Sequence, residues 1–143
     1  MIAGFFDKYR FLSNFWPVPG GIVLDGRSYT TVEHAYQAAK TEDYVERLKI
    51  HGAVSPGDAK RLGRKVKVRD NWEQIKLELM LNLVRDKFSP GTRLARRLVE
   101  TGEDELVEEN SWGDTFWGCR QGVGQNHLGK ILMQVRTELE ANA

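Results

Sequence analysis

Cysteine and histidine are nearly missing from this chain, and their scarcity excludes several kinds of chemistry. A single thiol, Cys119, cannot form an internal disulfide. The three histidines, His34, His51 and His127, are scattered without metal-ligand spacing, so neither a structural metal nor a cofactor is expected. No apolar run approaches the roughly 20 residues of a membrane span. The opening MIAGFFDKYRFLSNF lacks the basic-then-apolar layout of a secretion signal. A cytoplasmic protein with no membrane partner is expected. A strong charge of one sign is missing too, the formal balance being +1. That balance conceals two opposed clusters, KRLGRKVKVR at 60–69 and ETGEDELVEE at 100–109. The basic cluster fits a phosphate footprint for nucleic acid, and it fits equally a helix end followed by a solvated loop.

With 41% hydrophobic and 29% charged residues, 143 residues can bury one ordinary core and are too few for two comfortable domains. No linker or low-complexity stretch divides them, so one compact domain over 1–143 is expected. Asp25-Gly26 between two short β-prone runs is the pair a tight type I′ hairpin requires. Good helix formers then fill TTVEHAYQAAKTEDYVERLKIHGA, which reads as one helix to about Thr41 and a second beyond it. In SPGDAKRLG, Ser55 is the expected N-cap, Pro56 the first turn and Gly63 the stop. Trp72, Ile75, Leu79, Leu83 and Val84 recur at helical spacing and predict the longest helix over about 70–88. A second Ser-Pro-Gly, at 89–91, predicts a helix from 90 to near Gly102. Short strands are expected around Leu106-Val107 and Phe116-Trp117, then a last helix from about His127 to Glu140. The fold class is therefore α+β and mainly helical, with a small β-hairpin and short strands.

Gly124 to Lys130 fits the phosphate-loop spacing G-x-x-x-x-G-K, yet Ile131 stands where magnesium chemistry needs Ser or Thr, and no buried strand feeds the loop. A nucleotide hydrolase of that kind is excluded. What survives is a glycine turn opening a helix, whose N–H groups and dipole suit a phosphate. At 100° per residue, Glu33, Gln37, Lys40 and Tyr44 fall within about 60° of one another, with Tyr36 at the border and Ala35, Ala38 and Ala39 behind. A small-residue back and a polar, aromatic front suit the wall of a cleft. Glu33 and Lys40 are about 10.5 Å apart along the axis and would meet most naturally through a ligand. Thr30-x-x-Glu33 also fits a capping box, in which the glutamate only ties down its own helix start. Lys40 alone reads as a solvated lysine. To act as an amine it needs burial or a cationic neighbour, and Glu33 works against that. Of the tryptophans at 16, 72, 112 and 117, the last two flank Asp114 in SWGDTFWG. Ring faces beside a carboxylate suit a flat base and its sugar, and the same residues suit core anchors around a turn. FLSNFWP joins Ser13 and Asn14 to aromatics, a pairing of pockets and of ordinary loops alike.

Taken in order, FLSNFWP, YTTVEHAYQAAK, SPGDAKRLGR, RDNWEQIKLELM, WGDTFWG and G-x-G-x-N-x-L-G-K-x-L-M-x-V-R resemble the NADAR (YbiA-like) family across nearly the whole chain. The resemblance implies a mainly helical α+β domain that hydrolyses N-glycosidic bonds. Its substrate would be either ADP-ribose on guanine in nucleic acid or a nucleotide-like phosphoribosylamino intermediate of riboflavin synthesis. It implies Lys40 as the nucleophile that opens the sugar to a Schiff base, Glu33 as the proton carrier and Asp114 as the group orienting sugar or water. Trp72 would stack on the substrate. Ser13, Asn14, Phe15, Tyr36 and Gln37 would bind it from one stretch, Trp117 and Gly118 from another. Gly124, Asn126 and Lys130 would cradle its phosphate. The chain departs from the family in the Ala35-Tyr36 pair after His34, where many members carry two aromatics, and in its shortness. A non-catalytic ADP-ribose or NAD-binding module is the alternative reading.

Overall fold

The structure, a computed structural model, describes all residues from 1 to 143. Along the chain come β1 (Ile2–Ala3), a 3-10 helix (Asp7–Leu12), β2 (Ile22–Leu24), β3 (Arg27–Tyr29), α1 (Val32–Ala39), α2 (Tyr44–His51), α3 (Pro56–Gly63), α4 (Trp72–Lys87), α5 (Arg93–Val99), β4 (Leu106–Val107) and α6 (His127–Ala141). The class is α+β and helix-rich. No helix is long and apolar enough to cross a membrane. The chain forms two compact units, one of residues 14–87 and one of residues 1–13 with 88–143.

In residues 14–87, β2 and β3 pair antiparallel with Leu24 opposite Arg27. Asp25 and Gly26 turn the chain at φ 48° and 80°, the two left-handed positions of a type I′ turn. Of the four helices in this unit, α1 and α4 pack on the hairpin, and α1 has all eight residues buried. Its alanines allow α2, α3 and α4 to approach closely, which is why so short a helix can be central. Ser55 caps α3 as expected, its hydroxyl accepting from the Asp58 amide at 3.1 Å. The helix ends at Gly63 as expected, though not through a left-handed glycine. Gly63 is the last helical residue, Arg64 being the C-cap, and a Cβ at 63 would lie 1.9 Å from the amide oxygen of Gln37. The glycine is needed for packing.

In residues 1–13 and 88–143, β1 lies parallel to β4 with Ile2 opposite Leu106. Two residues are too few for a periodic signal, and β1 was not expected. Phe11 packs edge-on to Phe88 at 6.5 Å, and the Arg97 guanidinium covers the Phe11 ring at 4.1 Å. The second Ser-Pro-Gly does not start a helix. Gly91 turns left-handed at φ 84°, and Thr92 caps α5 by accepting from the Ala95 amide at 3.1 Å. Nor do Phe116 and Trp117 form a strand; they lie in a bend whose cause is the side chain of Asp114, described below.

Candidate active site

Within residues 14–87 the structure brings Glu33, Tyr36, Gln37, Lys40 and Trp72 into one neighbourhood. The helix that carries four of them begins at Thr31, whose hydroxyl accepts from the His34 amide at 3.0 Å. The cap is therefore Thr31, one residue later than the expected Thr30 box. This shift makes Glu33 the second helical residue, where a carboxylate gains from the helix dipole. His34 is a framework residue. Its Nε2 faces the Ala53 carbonyl at 3.1 Å, which can only accept, so that nitrogen carries the proton and Nδ1 accepts from the Thr31 hydroxyl at 2.8 Å.

The carboxylate of Glu33 is buried, and Gln37 donates to its Oε1 from Nε2 at 3.2 Å. The backbone amide of Glu33 donates to the Asn14 carbonyl at 3.1 Å, which ties Asn14 to the start of α1. Asn14 also reaches the sulfur of Met80 at 3.7 Å, and Phe15 next to it keeps 42% of its surface exposed. Gln37 is held between Glu33 and Gly63, and its amide oxygen is buried with no hydrogen-bond partner. Tyr44 is not on this wall. It opens α2, and Arg27 lies over its ring at 5.1 Å.

Lys40 caps the C-terminus of α1 and is half-buried. Its ammonium nitrogen lies 5.6 Å from the centre of the Tyr36 ring, and that ring tilts against Trp72 at 5.2 Å. The Arg69 amide donates to the Lys40 carbonyl at 2.8 Å, fixing the backbone at this point. Burial holds the Lys40 amine below its usual 10.5, with Arg64, Lys60 and Lys76 pushing the same way and Glu33 opposing them. The sequence names the requirement for such an amine without showing its environment. That environment comes from α3 and α4.

Asp114, in the other unit, is the centre of a tight turn. Its Oδ1 accepts from the amides of Phe116 at 3.1 Å and Trp117 at 2.9 Å, while Asn110 binds its backbone on both sides. The bend points the carbonyls of residues 116–118 at the start of α6. There His127 donates to Phe116 at 3.1 Å, Leu128 to Trp117 at 2.9 Å and Asn126 to Gly118 at 3.2 Å. The expected phosphate cradle is thus engaged internally, because these three amides already have carbonyl acceptors. Asn126 is left-handed at φ 52° and nearly buried; its side chain donates to the Leu106 carbonyl and accepts from the Glu108 amide, each at 2.9 Å. The motif glycines serve this packing. A Cβ at 129 would lie 2.1 Å from the Leu106 oxygen, one at 124 would lie 2.3 Å from the Gly118 oxygen, and one at 118 would lie 2.0 Å from the Glu108 oxygen. Lys130 is exposed, and Ser13 closes the 3-10 helix by donating its amide to Arg10 at 3.0 Å.

A helix-rich α+β fold in which one short buried helix presents a carboxylate, an amide and an amine of lowered basicity describes a class. A family model, the NADAR domain, matches residues 4–140, and the chain belongs to that family. It is 41% identical to an N-glycosidase of Nostoc punctiforme, over 93% of this chain and 87% of that protein. It is 37% identical to N-glycosidase YbiA of Escherichia coli, over 93% of this chain and 83% of that one. A riboflavin biosynthesis protein of Vibrio vulnificus is 40% identical over 96% of this chain, which spans only 37% of that longer protein. The solution structure of Escherichia coli YbiA superimposes with a TM-score of 0.83 at 36% identity, covering 99% of this chain and 85% of that one.

Proposed function

We propose that the protein is a hydrolase that cleaves the N-glycosidic bond of a phosphorylated N-riboside, with Lys40 as nucleophile. The observation that carries this reading is the Lys40 amine, half-buried beside the Tyr36 ring and made less basic by burial and three nearby cations. A free amine can attack the anomeric carbon. The new Nζ–C1′ bond replaces the bond to the base, whose electron pair leaves on the base nitrogen together with a proton from Glu33. The glycosylamine then opens, the C1′–O4′ bond breaking as O4′ takes up a proton, to give the Schiff base. Water adds at C1′ and the Nζ–C1′ bond breaks, releasing the sugar and restoring the amine. Gln37 holds the carboxylate, and Trp72 supplies a face for stacking.

Two substrates meet these demands: ADP-ribose joined to guanine in nucleic acid, and a phosphoribosylamino intermediate of riboflavin synthesis. The names of the relatives support N-glycoside hydrolysis, and the Vibrio vulnificus relative supports the second substrate. The test is turnover of each by the purified protein, with borohydride added in a parallel reaction. Release of free sugar over many cycles, with a trapped adduct that disappears in Lys40→Ala, is expected. Tight binding without release would instead establish a non-catalytic binder of ADP-ribose.

A further inference from the structure

The two candidate substrates share one group, a phosphate on C5′ of the ribose under attack. The start of α6 is poorly placed to receive it, because the amides of 126, 127 and 128 already donate to backbone carbonyls. A different set of charges lies around Lys40. On α3, Ala59 and Gly63 are buried, and Gly63 presses on Gln37 of α1. Lys60 and Arg64, one turn apart, stand at the edge of that contact, half-buried and exposed respectively. Lys76 is one turn beyond Trp72 on α4, and its side chain is only 15% exposed. All three act on the Lys40 amine.

Two other cations of the same run are engaged elsewhere, while Lys65 and Lys67 are exposed and lie past the end of α3. Arg61 pairs with Asp58, and Arg69 with Glu42 at 3.2 Å. Lys76 contacts Glu73 at 2.9 Å. Arg64 forms no ion pair with any carboxylate, although a guanidinium is the side chain best shaped to grip a phosphate.

We propose that Arg64 and Lys60, supported by Lys76, bind the 5′-phosphate of the ribose that Lys40 attacks. The proposal rests on the N-ribosidase reading and adds a binding site to it. The phosphate would anchor the sugar at one end while the amine meets it at the other. This arrangement requires the α3 edge and the end of α1 to face one ligand, which the Gly63–Gln37 contact between the two helices permits.

The test compares a ribosylamino-pyrimidine with and without its 5′-phosphate. For the double variant Lys60→Gln/Arg64→Gln, kcat/KM on the phosphorylated compound is expected to fall about 10- to 100-fold, the usual effect of losing charge-assisted hydrogen bonds. On the unphosphorylated compound, with each protein compared on its own pH plateau, it should stay within about 3-fold. Arg61→Gln, which removes a cation of the same run already paired with Asp58, should leave both unchanged. Equal losses on the two compounds would overturn the proposal, since the cations would then act only through the Lys40 proton. A second measurement does not depend on turnover. Lys40→Ala should bind inorganic pyrophosphate in a calorimetric titration, more weakly as salt rises, and should lose that binding when Lys60 and Arg64 are also replaced. Unchanged pyrophosphate binding in the combined variant would also overturn it. If the wild type turns over neither compound, the N-ribosidase reading fails, and the pyrophosphate titration still decides whether this phosphate site exists.

Discussion

Lys40 concentrates the chemistry of the proposed site, and its surroundings make a defined demand on pH. Burial and the cations Arg64, Lys60 and Lys76 hold the protonated form at a disadvantage, against the attraction of Glu33. The fraction of free amine, and with it turnover, should therefore rise with pH, its midpoint lying below the usual 10.5. Replacing Lys60 and Arg64 by glutamine removes two of the groups that disfavour the ammonium, so the midpoint should move upward on an unphosphorylated substrate. Lys40→Arg is expected to be inactive at every pH, because a guanidinium does not lose its proton. Glu33→Gln should preserve the acceptor that Gln37 binds, hence the fold, and lower kcat by about 100- to 10,000-fold, the usual contribution of a positioned acid or base. A loss of folded protein in that variant, seen by circular dichroism, would mark Glu33 as structural. At this scale the sequence was legible in part. The one-sided spacing of Glu33, Gln37 and Lys40 was readable, but with Thr30 and Thr31 adjacent, spacing alone could not choose the cap. The amine's environment, from α3 and α4, is tertiary.

At the scale of elements, glycines and caps account for most differences between pattern and structure. The two Ser-Pro-Gly triplets look alike in sequence, yet Ser55 caps α3 while Gly91 turns left-handed and hands the cap to Thr92. Only the triplet is shared: Asp58 follows it in one case and Thr92 in the other, and Thr92 itself takes the cap. Gly63 does end α3, but its φ is not left-handed, and what requires glycine there is the close approach of Gln37. Gly63→Ala should destabilise by about 1–3 kcal/mol through overpacking, measured by urea unfolding, and should lower kcat more than it changes KM as Glu33 loses its fixed partner. The α6 entry yields a second prediction. Asn126 binds Leu106 and Glu108 through opposite ends of its amide, so Asn126→Ala leaves a buried carbonyl and an amide unpartnered. A cost of about 2–4 kcal/mol is expected. Asn126→Asp keeps the acceptor for Glu108 but turns the donor facing the Leu106 oxygen into a second acceptor, and should be at least as harmful.

For the molecule as a whole, one buried amine outside the proposed site governs how stability depends on pH. Lys87 is 2% exposed, and burial pushes its pKa down to about 7 from an ordinary 10.5. The folded state thus releases this proton before the unfolded state does. Between about pH 7 and 10 the unfolded chain holds more protons, so stability should rise with pH, by up to about 1.4 kcal/mol per unit. Cys119, raised chiefly by burial, and Tyr29, raised likewise, act in the opposite sense only above 9.0 and 10.0. Unfolding midpoints measured from pH 7 to 9 should climb in the wild type and climb less steeply in Lys87→Met, where only the lowered Lys40 amine still acts in that sense; a level wild-type profile would refute this. A helix-rich fold was readable from apolar periodicity, and family membership from short motifs occurring in order. The parallel pairing of β1 with β4 was not, since it joins residues about a hundred positions apart. The Asn126 contact has a further bearing on chain connectivity. By gripping Glu108 it closes a loop 18 residues long, in a protein whose lone thiol leaves no cystine available for the purpose. Cutting that tether would release the segment between them to sample open conformations, and a protease probing the native state should find its first cleavage sites there.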